Sequence, residues 1–190
     1  MLRPSYPIET ERLSLRPLTA GDLDDVHAYY SRPEVTRYLY WDVRDRERSR
    51  EALDEYSGRA ALDGEGDGLV LAMVARDLGR VVGQVNLHWY SEEHRQGEIG
   101  FVVNPTHHGR GLAGEAAAAM LRLGFEDLGL HRITGRCDAR NLASARLMDR
   151  LGMRREAHLV ENEYVKGEWT DELVYAMLEQ EWWARATRSE

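Results

Sequence analysis

Cysteine is nearly absent: of 190 residues only Cys137 carries a thiol. An internal disulfide and a cysteine-cluster zinc site are therefore excluded. Long apolar runs are missing too, and none approaches the roughly 18 residues that span a bilayer. The N-terminus lacks the basic-then-apolar order of a secretory signal, so the expected location is the cytoplasm. Positive charge is short: 25 Lys and Arg stand against 33 Asp and Glu, a net of −8. That balance disfavours non-specific nucleic-acid binding, which needs a basic surface. It serves either solubility or the steering of a cationic substrate. Repeats, linkers and low-complexity stretches are absent, and residues 1–190 suffice for one domain with a real core.

What is present reads as an alternation of strands and helices. Glu11 to Leu18 alternates apolar and polar, a first strand. Thr19-Ala20-Gly21-Asp22 opens a helix that runs to about Tyr30. Pro33 opens a short second piece carrying Tyr38, Leu39, Tyr40 and Trp41, an aromatic cluster that is either core or a pocket wall. Asp45 to Leu62 is a charged amphipathic helix. Strands at 69–75 and 80–89, joined by a tight loop, lead through Ser91–Gln96 to a third strand ending at Val103. Three short-loop strands imply an antiparallel meander. A helix at 112–127, a strand at 133–137, a helix at 142–151 and strands at 153–165 and 171–178 follow, with a helical tail from Glu179. The order predicts a mixed α/β (α+β) fold.

The chain turns on Asn104 to Glu115, a glycine-spaced loop between the strand ending at Val103 and an Ala- and Leu-rich helix. Free N–H groups and the positive end of a helix dipole at such a loop bind phosphate or pyrophosphate. Gly109-Arg110-Gly111-Leu112-Ala113-Gly114 matches G-x-G-x-x-G, and Asp138 follows the next strand where a dinucleotide fold places a ribose-binding acid. Three features oppose a dinucleotide fold. The loop lies mid-chain behind a meander, five residues separate strand from first glycine, and a strand pair follows instead of another βαβ crossover. A bland alternative is that the glycines only turn the chain.

His108-Gly109-Arg110-Gly111-Leu112-Ala113 resembles the (Gln/Arg/His)-x-x-Gly-x-(Gly/Ala) element of the GNAT acyltransferases. Further stretches resemble, in order, the Rim-type branch, the ribosomal-protein N-terminal acetyltransferases. They are Thr10-Glu11-Arg12-Leu13, Leu15-Arg16-Pro17, Pro33 to Leu39, Gly97-Glu98-Ile99-Gly100-Phe101, Asn141-Leu142-Ala143-Ser144, Leu151-Gly152-Met153 and Gly167 to Asp171. The resemblance implies a mostly antiparallel sheet of six to seven strands, splayed at a cofactor site and flanked by helices. It also implies acetyl-CoA as cofactor, an amine acceptor and a homodimer. Backbone amides from His108 through Arg110 to Ala113 would hold the pyrophosphate, with Arg110 adding charge. Phe101, Val102 and Val103 would pair with the pantetheine arm. Asn141 and Ser144 would lie near the thioester, and Asn141 also suits a helix N-cap.

An amine attacks a thioester only when neutral, and an N-terminal amine, near pKa ~8, needs less help than a lysine near ~10.4. A carboxylate, directly or through water, is the plausible base. Glu163 matches the base position of the Rim-type branch, and Glu98 that of other branches. Strand alternation puts Glu161 on the same face as Glu163. A backbone N–H near Val102 or Val103 would meet the oxyanion. Many family members place a tyrosine as thiolate acid seven residues after the asparagine. Here Met148 stands there and donates no proton, which leaves Ser144 or water. The histidines show no ligand spacing, so no metal is expected. Cys137 reads as buried and inert, and Trp182-Trp183 as packing for the tail. The expected activity is direct acetyl transfer to a primary amine, first a protein or peptide N-terminus. Alternatives are a small amine (aminoglycoside or polyamine) or a module that binds CoA without turnover.

Overall fold

Eight strands form one sheet in the computed structural model, which describes residues 1–186. They are β1 (Ile8–Glu9), β2 (Leu13–Pro17), β3 (Gly68–Ala75), β4 (Arg80–Ser91), β5 (Gln96–Val103), β6 (Arg132–Asp138), β7 (Arg154–Val165) and β8 (Glu168–Leu178). Their spatial order is β1-β2-β3-β4-β5-β6-β8-β7. Every neighbouring pair is antiparallel except β5 with β6. The eighth strand, beyond the six to seven expected, is β1. Its two residues are too few to show a period-two pattern, and it forms by pairing Ile8 with Leu15 and Glu9 with Ser14.

Helices cover both faces, which explains why β3 reads as an unbroken apolar run. Leu69, Leu71 and Met73 point into one core with α4 (Leu112–Arg122) and α5 (Leu142–Arg150). Val70 and Ala72 point into a second core with α1 (Leu23–Tyr30) and α3 (Arg46–Ser57). A short α2 (Pro33–Thr36) leads into the aromatic segment 38–41, and α6 (Glu179–Ala186) closes the described chain. Of the aromatic segment, Trp41 packs on Tyr30 at 4.7 Å between ring centroids, while Tyr40 is exposed. Trp182 stacks on Phe125 at 5.8 Å and Trp183 is half exposed. The helix expected over 112–127 ends its α-helical part at Arg122 and continues as one wider turn, Leu123–Asp127.

Two irregularities shape the functional face. β5 and β6 pair only at Gln96–Arg132, Gly97–Ile133 and Glu98–Thr134. Beyond Glu98 the strands diverge, so the β5 edge from Ile99 to Val103 has no strand partner on that side. The second is in β7. Its register against β8 shifts between Leu159 and Glu163, and Glu161 sits at φ +47°. This bulge breaks the alternation that would put Glu161 and Glu163 on one face. Glu161 instead gives its backbone N–H to Asp171 at 2.9 Å.

Candidate active site

The loop after β5 is shaped by its own sequence and clamped from the N-terminus. The Asn104 side chain accepts from the Thr106 N–H (3.1 Å) and hydroxyl (2.9 Å), starting a turn. Gly109 and Gly111 both sit at φ +76°, a backbone that costs other residues about 1–2 kcal/mol. Gly111 caps α4, leaving the first-turn N–H groups of that helix free to face outward. Glu115, in that first turn, accepts from the Thr10 hydroxyl (2.5 Å), the Arg12 backbone (2.7 Å) and Arg12 Nε (2.7 Å). Arg12 Nη1 in turn donates to the Arg110 carbonyl at 2.6 Å. Burial alone would raise the Glu115 carboxyl, but these donors outweigh it and hold it below its ordinary range. Two motifs about a hundred residues apart are therefore one device, an N-terminal strap on the phosphate loop. Glu115→Ala is expected to weaken acetyl-CoA binding roughly tenfold by calorimetry, since it frees several charge-assisted bonds at once. A change below twofold would contradict the strap.

This loop forms one wall of a groove of about 600 Å³. Phe101, Val102, Val103, His108, Gly109, Gly111, Leu112, Ala113, Asn141 and Ser144 all line it. Arg110 does not; its guanidinium pairs with Asp77 at 2.7 Å. His108 Nε2 lies 3.1 Å from the Val103 carbonyl and ties loop to strand. Asn141 caps α5 by accepting from the Ser144 N–H at 3.2 Å, and both residues line the groove. Met148, seven residues after Asn141, is buried against Gly135 beneath β6 and presents nothing to the groove. Free amides at a helix start, an unpaired strand edge and apolar walls suit a long thioester with a diphosphate at one end.

Tyr38 and Leu39 line this groove and also a second, smaller cavity of about 150 Å³. Glu98, Glu163 and Glu172 all face the small cavity. Glu98 accepts from Arg136 Nε at 3.0 Å, and Glu172 accepts from Arg136 Nη1 at 3.2 Å and Asn162 at 3.0 Å. Burial pushes the Glu172 carboxyl up, with Glu163 and Glu98 adding to the rise and Arg136 opposing it. Among the described residues Glu163 has no cationic partner, and it accepts from the Tyr40 hydroxyl at 2.8 Å. Although the Tyr40 ring is largely exposed, partial desolvation and then that bond raise its phenol above its ordinary range, so it stays a donor. The sequence pattern singles out neither Glu172 nor Arg136, and it places Tyr40 only in an aromatic cluster. A signal was available for Glu172: in β8 it shares a face with the buried Thr170.

The two cavities meet where a thioester in the groove would present its acyl end to a group in the acidic cavity. The sequence profile described as Acetyltransferase (GNAT) domain matches residues 12–154. The chain belongs to the GNAT acetyltransferase family. A protein named uncharacterized N-acetyltransferase YnaD, from Bacillus subtilis, is 34% identical over 175 residues, covering 92% of this chain and 98% of its own. A GNAT acetyltransferase of known structure from Bacillus anthracis is similar at TM-score 0.81 and 33% identity, covering 95% of this chain and 99% of its own. A spermidine N-acetyltransferase from Vibrio cholerae, solved with CoA and spermine, shares the GNAT fold at TM-score 0.75 and 22% identity, covering 92% and 99%. As a GNAT N-acetyltransferase the protein uses acetyl-CoA, and it acetylates an amine. The dinucleotide alternative falls with the antiparallel meander: Asp138 receives the Arg140 side chain and lines the small cavity.

Proposed function

We propose that the acceptor is the N-terminal α-amine of a protein or peptide, held as an ammonium by the acidic floor of the small cavity. The observation that carries this reading is the charge of that floor: of its three carboxylates, Glu98 and Glu172 share one guanidinium, Arg136, and Glu163 meets only the neutral Tyr40 hydroxyl. A cationic amine complements it. At its rim stand two exposed guanidinium groups, Arg37 and Arg140, the second matched by Asp138 and Glu168 and the first without a carboxylate partner among the described residues. A polyamine, cationic along its length, meets those arginines as it enters; a peptide carries its one positive charge to the floor and leaves neutral backbone at the mouth.

Acetyl-CoA supplies the acetyl group as an activated thioester. Glu163 takes the proton that makes the amine nucleophilic, directly or through water, because its charge is not spent on a protein cation. Glu98 is less suited, since Arg136 already engages it. The unpaired N–H groups of the β5 edge near Val102 and Val103 offer donors for the acyl oxygen. As the nitrogen bonds the acetyl carbon and the carbon–sulfur bond breaks, the Ser144 hydroxyl offers the departing sulfur a donor. The ammonium loses two protons in all, one to the sulfur and one through Glu163 to solvent. The lone, half-buried cysteine and the need for acetyl-CoA fit a cytoplasmic enzyme.

A second reading, a small-amine acceptor, is favoured by the floor alone, which takes any ammonium, and by the spermine-bound GNAT neighbour. Release of CoA thiol with a panel of peptides, spermidine and an aminoglycoside separates the two. Peptides are expected to give the highest kcat/KM. Preference for spermidine would replace the first reading, and binding of acetyl-CoA with no thiol release from any amine would replace both.

A further inference from the structure

The charges lining the small cavity are nearly all matched within the protein. Arg136 is shared by Glu98 and Glu172, and Arg140 pairs with Asp138 and Glu168. Lys166 donates to the Thr36 carbonyl at 2.6 Å and lies 3.6 Å from Asp42. Asp171 is met by His158 at 2.7 Å. Two groups are left over. Glu163 bonds only the neutral Tyr40, and Arg37 has no carboxylate partner among the described residues. The Arg37 guanidinium instead lies 5.2 Å from the centre of the Tyr38 ring, which Arg140 also approaches at 5.9 Å. Tyr38 borders both cavities, so this unmatched cation stands beside the place where amine and thioester meet.

We infer that Arg37 is a specificity residue that binds a carboxylate of the acceptor, selecting peptides with an acidic side chain in their first two residues. The inference rests on the peptide reading above. An ammonium against Glu163 and a carboxylate against Arg37 match the two unmatched charges with one ligand. An extended chain advances about 3.3 Å per residue, so an acidic side chain that reaches a neighbouring cation belongs to the first or second residue. Tyr38 holds the guanidinium by its ring face, which keeps its donors free for a planar, two-point carboxylate contact. A neutral amine carrier or a second ammonium leaves Arg37 without a counter-charge.

The test uses the full chain, saturating acetyl-CoA and four short peptides beginning Ser-Ala, Ser-Asp, Asp-Ala and Ser-Lys, with spermidine as a fifth acceptor. At least one acidic peptide is expected to exceed Ser-Ala about fivefold in kcat/KM, through KM, and Ser-Lys to fall below it; exposed single charges give effects of this size. Arg37→Gln is expected to remove most of the acidic advantage, while Arg37→Lys, which keeps the charge, retains part of it. Peptide acetylation with no acidic preference, or a preference that Arg37→Gln leaves intact, overturns the assignment of Arg37 alone. Spermidine outrunning all four peptides overturns the peptide reading together with it.

Discussion

Glu163→Gln is expected to lower kcat by about two to three orders of magnitude while leaving acetyl-CoA binding within about twofold. The amide still accepts from Tyr40, so the cavity keeps its shape and loses only a proton acceptor. Glu98→Gln is expected to cost less than about tenfold, because Glu98 is already engaged by Arg136 and its loss leaves that guanidinium on Glu172. The comparison is made by steady-state thiol release with the same peptide, and calorimetry supplies the acetyl-CoA constant. Loss confined to Glu98→Gln would transfer the base to β5. Equal, small losses in both would mean that water alone removes the proton.

The largest expected effect on stability is at Gly83. A Cβ there would lie 2.4 Å from the Val102 carbonyl oxygen and 2.9 Å from Val103 Cα, both backbone atoms of β5. No side chain rotates away to relieve this, so Gly83→Ala must push β4 and β5 apart. Gly83 also sits where the β3–β4 register shifts, between Met73 and Val74. Overpacking of this kind costs about 3 kcal/mol, which for a chain of this size lowers Tm by about 6–12 °C. The same displacement moves the β5 edge that lines the groove, so KM for acetyl-CoA is expected to rise in parallel. Thermal unfolding followed by circular dichroism checks the first part, and a Tm within about 1 °C of the parent would contradict the close strand approach.

Features that depend on neighbours along the chain are legible in the sequence. The phosphate loop is readable because glycines at 109 and 111 announce a backbone that other residues resist. The β3–β4–β5 meander is readable from short loops, and the Asn141 cap from its place before an amphipathic helix. Features made by distant partners are not. Thr10 and Arg12 stand out as a motif, but nothing in the sequence says that their partner is Glu115. Arg110 looks like a charge for the phosphate, and its link to Asp77 crosses 33 positions. The β7 bulge at Glu161 is invisible because alternation assumes an unbroken ladder. The acidic floor draws on β5, β6, β7 and β8, and charges on strands read individually as solvated edges. Only the register of these four strands sets the charges on one face of the sheet.

The most direct test is a crystal structure with a bisubstrate conjugate, CoA joined through an acetyl bridge to the α-amine of a short peptide. The expected result has the diphosphate on the amides of residues 108 to 113, the bridge beside Tyr38 and Leu39, and the peptide nitrogen facing Glu163. A peptide arm that leaves the groove without entering the Glu98–Glu163–Glu172 cavity would contradict the account.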